Sequence, residues 1–283
     1  MSTRIALVTG ASSGIGEATA RALAAAGVVV YGAARRLDRL EALASAGIRP
    51  LVMDVTDDDS MRAGVARIID EAGRLDVLVN NAGYGSYGAI EDVPLEEARR
   101  QFDVNVFGAM RLTQLVLPHL RAQGSGTIVN ITSMGGRIHT PLGGWYHATK
   151  YALEALSDCL RIEVAPFGID VLVIEPGGIQ TEWGAIAAGN LEGTSGTGAY
   201  ADQAVAVASS LRSEAHGTRN SPPSVIADAV ATAVTARRPR TRYAVGFGAK
   251  PLIAAKTVLP DRTYDTLISR AVGLPTGRPR TAG

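Results

Sequence analysis

Short apolar runs alternate with longer amphipathic stretches along most of the 283-residue chain, and few folds accommodate that alternation. The apolar runs are rich in Val and Ile with little polar alternation, which is typical of strands buried on both faces of a parallel sheet. They lie at residues 5–8, 28–31, 50–53, 77–79, 127–131, 170–174 and 242–245. Helical periodicity separates them at about residues 15–26, 37–46, 58–72, 95–122, 145–164 and 224–236. The pattern predicts βαβ units and an α/β fold with a doubly wound parallel sheet of about seven strands.

No internal repeat or long linker divides the sequence, so we expect one domain over residues 1–248 and a C-terminal extension over 249–283. Because crossovers in such folds are right-handed, the carboxyl ends of the strands form the ligand crevice. Residues 184–223, after the sixth strand, are rich in Gly, Ala and Ser. We interpret them as a mobile lid over the crevice, since lids are poor in packing residues; a tolerated surface insertion is the alternative.

The net charge is +1, which argues against a nucleic-acid-binding surface. Residues 236–283 nevertheless carry ten basic residues against two acidic ones, and the preceding part has an acidic excess. We expect this basic segment to pack on the acidic body or on a partner subunit. Peripheral contact with anionic lipid is the alternative, because apolar residues interleave with the charges.

The sequence favours a reducing compartment. Cys159 is the single cysteine, so no disulfide forms within the chain. The first ten residues run directly into a strand without the apolar region of a signal peptide. No apolar stretch is long enough to span a bilayer. We therefore expect a cytoplasmic protein without a transmembrane segment.

A glycine-rich turn, TGASSGIG, follows the first strand and opens the first helix. Glycine lets a backbone approach a phosphate without a Cβ collision, and a helix N-terminus offers unpaired N–H groups. Hydroxyl donors from two serines add to the turn. The sequence therefore predicts a dinucleotide phosphate site at Gly10, Ser12, Ser13, Gly14, Ile15 and Gly16.

Arginines rather than a carboxylate follow the second strand, which bears on the choice of cofactor. An Asp or Glu at that point binds the ribose 2′-hydroxyl of NAD, whereas guanidinium groups pair with a 2′-phosphate. Arg35 and Arg36 therefore predict NADP(H) in preference to NAD(H), although Arg36 also fits a solvated surface residue. Asp54, with Val55, is expected at the adenine or as a helix cap. Small residues at Asn81, Ala82 and Gly83 allow close approach of the cofactor.

Tyr146 and Lys150 stand four residues apart on a predicted helix and therefore share a face. A cation about 4 Å from a phenol favours the phenolate by about 4 kcal/mol at an effective dielectric constant of about 20. The pair therefore predicts a Tyr146 pKa near physiological pH. Ser133 follows the fifth strand at the same edge and is positioned to hold a substrate oxygen. Asn105 lies in a long helical stretch, either as a surface amide or as a buried, occupied one.

The chain resembles the short-chain dehydrogenases/reductases. The matching motifs are Thr9-Gly10-x-x-x-Gly14-Ile15-Gly16, Asn80-Asn81-Ala82-Gly83, Asn105, Ser133, Tyr146-x-x-x-Lys150 and Pro176-Gly177, in the order of the family and over about residues 3–182. The resemblance implies a Rossmann-type fold with Asn105, Ser133, Tyr146 and Lys150 as the catalytic tetrad. It also implies nicotinamide contacts from Pro176, Gly177, Ile179 and Thr181. Family members commonly form homodimers or homotetramers through the helices around 95–122 and 145–164.

The implied reaction is hydride transfer at the nicotinamide coupled to proton transfer by Tyr146. In that scheme Ser133 positions the oxygen and Lys150 binds the nicotinamide ribose. Asn105 holds a water that links Lys150 to solvent.

An apolar small-molecule ketone or alcohol is the expected substrate. The segments around Asn81 and Gly177 are similar to those of hydroxysteroid and retinol dehydrogenases. The expected pocket wall comprises Tyr84, Tyr87, Met134, Ile138, Trp183 and Ile186.

Two alternatives remain open: reduction of 3-oxoacyl thioesters, and a non-catalytic NADP-sensing protein. No His or Cys spacing suggests a metal. His147 and Cys159 are interpreted as structural residues.

Overall fold

The computed structural model describes residues 3–216 and 220–275. Seven strands form the centre of the molecule, close to the predicted positions. They are β1 (Ile5–Thr9), β2 (Val29–Ala34), β3 (Arg49–Val52), β4 (Val77–Asn80), β5 (Gly126–Ile131), β6 (Ile169–Pro176) and β7 (Arg242–Val245). All pair in parallel in the order β3-β2-β1-β4-β5-β6-β7. The predicted α/β fold with a doubly wound parallel sheet is confirmed.

Helices cover both faces of the sheet, and alternate residues of each strand face opposite layers. In β1, Ala6 and Val8 pack with Leu23 and Val230 on one face, whereas Leu7 packs toward the other. This explains why the strands read as continuous apolar runs. The helices are α1 (Gly14–Ala25), α2 (Leu37–Ala44), α3 (Asp58–Ala72), α4 (Leu95–Phe102), α5 (Ala109–Gln123), α6 (Gly144–Val164), α7 (Trp183–Ser195), α8 (Ala201–His216), α9 (Ser224–Thr235), α10 (Ala249–Val258) and α11 (Asp261–Ala271).

The predicted single helix over 95–122 is interrupted by a π turn over Asp103–Gly108, between α4 and α5. A π turn holds an extra residue and therefore changes the directions in which its side chains point. Gly108 lets the turn pack closely on the segment after β3, because a Cβ there would overlap the carbonyl oxygen of Val55. The turn is the element that carries Asn105 into the interior, where it is buried.

The segment that we interpret as a lid forms two helices, α7 and α8, which pack against each other. Small side chains allow the close approach, since Ala187, Ala188, Ala204 and Ala208 are fully buried between them. This alanine pairing is a packing pattern that the composition alone does not reveal. Residues 217–219 of the interpreted lid lie outside the described residues.

The C-terminal extension folds back on the loop after β5. Tyr264 of α11 is fully buried and donates a hydrogen bond to the carbonyl oxygen of His139 at 3.2 Å. Tyr264 and Ile268 pack with Ile138 and the partly buried Met134. The described part of the extension therefore packs on the chain's own body, and residues 276–283 lie outside the described residues. Among the helices of the described residues, none has the length and hydrophobicity to cross a membrane.

Candidate active site

A cavity of about 1020 Å³ opens along the carboxyl edge of the sheet. It begins at the glycine-rich turn after β1, passes the ends of β4 and β5, and ends beneath α7 and α8. The strand order reverses between β1 and β4, which is where doubly wound folds bind ligands. Nearly all of the site residues predicted from sequence line this cavity, and Asn105 lies directly behind its wall.

The glycine-rich turn is shaped to bring backbone close to a ligand. Gly10 and Gly14 have φ values of 65° and 56°, in the left-handed region that favours glycine. A Cβ on Gly16 would overlap the carbonyl oxygen of Gly10. Asn81 fixes the turn from the end of β4, because its Nδ2 donates to the carbonyl oxygen of Thr9 at 2.9 Å. α1 begins at Gly14 and points its N-terminus into the cavity, as an anion site requires.

Three arginines, Arg35, Arg36 and Arg39, line the cavity beside this turn and are exposed. Arg36 donates from Nη2 to the Ser12 hydroxyl at 3.2 Å, so it belongs to the same corner of the site. Sequence reasoning missed Arg39, although its place three residues after Arg36 at the start of α2 was an available signal. The corner is therefore a concentrated positive charge open to solvent.

Asp54 lines the cavity and does not cap the next helix. Its Oδ1 accepts hydrogen bonds from the amide and hydroxyl of Thr56 at 2.9 and 2.8 Å. Burial opposes ionisation, but the Thr56 bonds and the charge of Arg35 hold the Asp54 pKa below its ordinary value. Asp57 caps α3 instead, accepting from the amides of Asp59 and Ser60. The Asp54 carboxylate thus stays charged at the cavity wall.

Ser133 and Tyr146 meet at the centre of the cavity. Burial raises the pKa of Tyr146 to about 12, even though a hydrogen bond with Ser133 lowers it. Lys150 donates from Nζ to the carbonyl oxygen of Ile131 at 3.1 Å. The predicted Tyr146 pKa near neutrality is wrong for this arrangement, because burial raises the pKa and the contribution that opposes it is the Ser133 hydrogen bond, not the charge of Lys150. Tyr146 is a protonated phenol over the physiological pH range.

Asn105 is a buried, occupied amide rather than a surface one. Its Oδ1 accepts from the Tyr84 amide at 3.0 Å, and its Nδ2 donates to the Tyr84 carbonyl oxygen at 2.9 Å and to the Thr149 hydroxyl at 3.1 Å. Both donors are used, whereas an amide oxygen has a second lone pair. A Cβ on Gly83 would lie 3.0 Å from Oδ1 and 3.7 Å from the Lys150 Nζ, so the two groups face the same small space.

An aromatic cluster stands on the substrate side of Tyr146. The rings of Tyr87 and Trp183 lie 5.7 and 5.1 Å from that of Tyr146, centroid to centroid. Trp183 packs directly on Gly85, where a Cβ would overlap the indole. Tyr84 also lines the cavity, as predicted. Its hydroxyl donates to Glu97 at 3.0 Å, and the Arg100 guanidinium lies 5.6 Å from its ring centroid, so Tyr84 also braces α4.

Aliphatic side chains complete that wall. The predicted Met134, Ile138 and Ile186 line the cavity. Sequence reasoning missed Val207 and Leu211 of α8 and Val272, which follows α11. No local pattern marks these residues, since long-range packing of α8 and the extension brings them to the site.

The segment after β6 closes the cavity opposite the glycine-rich turn. Gly177 and Gly178 donate backbone hydrogen bonds to the carbonyl oxygens of Val245 and Phe247 at 2.8 Å. Thr181 faces the turn, because a Cβ on Gly14 would lie 3.4 Å from its Cγ2. Pro176, Gly177, Ile179 and Thr181 all line the cavity.

His147 is held in a structural role. Nδ1 pairs with the carbonyl oxygen of Gly135 at 2.9 Å, and Nε2 accepts from the Thr140 amide at 3.0 Å. Burial lowers the pKa of His147 to about 4, so the ring is neutral. It fixes the loop that carries Ser133.

The chain is similar in sequence and structure to proteins of one known family. Residues 4–188 match the short chain dehydrogenase family. The 3-ketodihydrosphingosine reductase of Bacteroides thetaiotaomicron is 38% identical over 263 residues, covering 92% of this chain and 95% of the relative. The NADPH-dependent 3-dehydrocapnine reductase of Ornithobacterium rhinotracheale is 36% identical over 278 residues, covering 93% and 95%. A short-chain dehydrogenase from Streptomyces avermitilis superimposes with a TM-score of 0.80 at 36% identity, over 96% of this chain and 98% of the other.

Proposed function

This chain belongs to the short-chain dehydrogenase family, and we propose that within it the protein is an NADP(H)-dependent reductase of a largely apolar ketone. That it is an oxidoreductase follows from the family. The observation that carries the finer proposal is the convergence of Ser133, Tyr146 and Lys150 with a glycine-rich phosphate cradle in one cavity.

The residues present fit a nicotinamide dinucleotide. The Gly16 position leaves no room for a side chain, and the N-terminus of α1 faces the same space, which suits a pyrophosphate. The arginine corner suits a 2′-phosphate, which guanidinium groups bind with charge-assisted hydrogen bonds. Asp54 and Val55 would contact the adenine, and Ile179 and Thr181 the nicotinamide. NADP(H), when bound, supplies or takes up the hydride.

The protein's own residues handle the proton. Tyr146 donates its phenolic proton to the carbonyl oxygen, and Ser133 holds that oxygen by a hydrogen bond. The phenolic proton is available for this step, because burial raises the pKa of Tyr146 to about 12. Lys150 binds the cofactor ribose and returns a proton to Tyr146. Asn105 holds a water on the second lone pair of Oδ1, next to Lys150, as the route to solvent.

An extended aliphatic substrate fits the wall beyond Tyr146. Tyr87 and Trp183 form the near part, and Val207, Leu211 and Val272 the far part. The relatives named as reductases of 3-ketodihydrosphingosine and 3-dehydrocapnine support a keto substrate. Val272 and Leu274 pack with α7 and α8, so we propose that the C-terminal extension forms one wall of the site and that α7 and α8 form its lid.

A substrate panel tests the proposal directly. Purified protein with NADPH or NADH is mixed with long-chain ketones, short ketones and 3-oxoacyl thioesters, and nicotinamide absorbance is followed. Fastest oxidation of NADPH with long-chain ketones is expected. Preference for the thioesters would favour the alternative activity, and turnover with none of them would favour a non-catalytic NADP-binding role.

We also propose a homodimer or homotetramer. Apolar side chains are exposed on the π turn, at Phe107, and on α6, which carries Tyr146, at Tyr151, Leu156 and Ile162. Burying such a surface between copies removes it from water. Light scattering coupled to size-exclusion chromatography measures the state, and a monomer at all concentrations would contradict this.

A further inference from the structure

A buried cluster of charged side chains lies behind Lys150. Arg242 of β7 pairs with Glu154 Oε2 at 2.8 Å, with Asp158 Oδ2 at 2.7 Å and with Glu175 Oε1 at 3.4 Å. Arg137, in the loop after β5, reaches Glu175 Oε1 at 3.4 Å. Glu154 and Glu175 are both buried, so water screens the charges of these two carboxylates weakly, whereas Asp158 and Arg137 are partly exposed.

Glu154 is the member of the cluster closest in sequence to Lys150. It follows Lys150 by four residues on α6 and therefore lies on the same face of that helix. A Cβ on Gly136 would lie 2.9 Å both from Glu154 Cγ and from the Lys150 carbonyl oxygen, so the loop after β5 covers both residues.

Lys150 has no close counter-ion in the described part of the chain. Its Nζ donates to the Ile131 carbonyl oxygen, which offers a dipole rather than a full negative charge. Burial lowers the pKa of Lys150 to about 8, and the charge of Glu154 opposes that effect. An amine that must carry a proton near neutrality therefore depends on this carboxylate.

The two oxygens of the Glu154 carboxylate have different surroundings. Oε2 accepts from Arg242, whereas Oε1 is buried and has no hydrogen-bond partner among the described residues. The groups that face Glu154 are Lys150 and Asp158 from α6, Arg242 from β7, Glu175 from β6, and Arg137 through Glu175. The two arginines supply the positive charge that pairs with both buried carboxylates.

We propose that Glu154 is a positioning residue whose charge keeps Lys150 an ammonium ion, while the ion pair with Arg242 holds the Glu154 carboxylate in place. The inference rests on the proposed reduction, in which Lys150 returns a proton to Tyr146. A neutral Lys150 has no proton to return. Glu154 is not among the residues that line the cavity.

The test is the pH dependence of kcat in Glu154→Gln, with NADPH and a methyl undecyl ketone. Removing a negative charge beside a lysine lowers the lysine pKa, so the alkaline limb of the profile moves down by about one pH unit. Asp158→Asn is the matched control, because it removes a carboxylate from the same arginine one turn farther from Lys150. The alkaline limb of the kcat profile of Asp158→Asn is expected to stay within about 0.3 pH units of that of the wild type.

Two further measurements keep the outcome decisive. Glu154→Asp, which retains the charge, is expected to restore most of the wild-type limb, and it replaces Gln if that variant misfolds. The pH dependence of NADPH affinity, read from fluorescence quenching, requires no carbonyl substrate and is expected to move in the same direction. An unchanged limb in a folded Glu154→Gln variant would overturn the inference. Absence of wild-type turnover would count against the proposed function alone, and the affinity profile would then decide the role of Glu154.

Discussion

Replacing Arg242 by Met removes the one cation shared by three carboxylates. The wild-type guanidinium contacts Glu154 and Glu175, whose side chains are only 7% and 4% exposed, and Asp158, which is 41% exposed. Breaking a buried ion pair by removing one partner costs about 3–5 kcal/mol, because a charge is left uncompensated. Arg137 still pairs with Glu175 in the variant. We therefore expect a loss at the lower end of this range, about 3 kcal/mol of unfolding free energy at neutral pH.

The loss should depend on pH in a defined direction. Burial, and then the charge of Glu154, raise the pKa of Glu175 above its ordinary 4.5. An acid with a raised folded-state pKa adds stability below its unfolded pKa, and this is lost as pH rises through the folded value. Without Arg242 the pKa of Glu175 rises further, because a cation that favours its ionised form is gone. The unfolding free energy that the variant loses relative to the wild type is therefore largest at about pH 7 and becomes smaller as the pH falls toward about 5.

Urea denaturation followed by circular dichroism, at one fixed protein concentration, measures this. With a slope of about 3 kcal/mol per molar urea, a loss of about 3 kcal/mol moves the midpoint down by about 1 M. Arg161→Met is the matched control, since Arg161 is about as exposed as Arg242 but pairs with the half-exposed Asp158 rather than with the buried glutamates. It is expected to cost at most about 1 kcal/mol. An Arg242→Met variant as stable as the control, or a deficit independent of pH, would refute the reasoning.

Three further predictions concern the active site. Tyr146→Phe is expected to bind NADPH within a few-fold of wild type in a fluorescence titration, yet to lose about 10²–10⁴-fold in kcat, since the proton donor is gone. A variant turning over within a few-fold of wild type would contradict the assigned role. Arg35→Ala combined with Arg36→Ala is expected to lower the ratio of kcat/KM for NADPH to that for NADH by about ten- to a hundredfold, through lost charge-assisted hydrogen bonds; an unchanged ratio would remove these arginines from the cofactor site. Val272→Trp is expected to lower kcat/KM for methyl undecyl ketone about tenfold or more while butanone is unaffected, with Val258→Trp, at a position 74% exposed, as the control; parallel loss for both ketones would contradict a wall at Val272.

Sequence predicted the features whose cause is local. The strands are apolar over their whole length because both faces are covered, and the Tyr146–Lys150 spacing follows directly from helical geometry. The glycine-rich turn is also readable, since Gly10 and Gly14 adopt positive φ values that other residues rarely take.

Features with a long-range cause were not predicted. The pKa of Tyr146 depends on burial by Tyr87 and Trp183, which come from distant parts of the chain, and spacing alone could not give it. Val272 reaches the cavity only because Tyr264 anchors α11 to the loop after β5. The three partners of Arg242 come from two elements separated from it by more than sixty residues.

The π turn over Asp103–Gly108 rotates the side chains of α5 about the helix axis relative to those of α4. Each residue of an α-helix rotates the chain by about 100°. The buried faces of α4 and α5 therefore depend on the number of residues in the turn between them. Gln101 of α4 is buried against the loop that carries Ser86, whereas Leu112 and Val116 of α5 are buried against the sheet. Deleting one residue from the turn would rotate one of these faces out of its contact, although no side chain on either helix had changed. Insertions and deletions are therefore less tolerated in this segment than substitutions on the helix surface. The number of residues between Gln101 and Leu112 must be kept for both helices to pack and for Asn105 to reach the site.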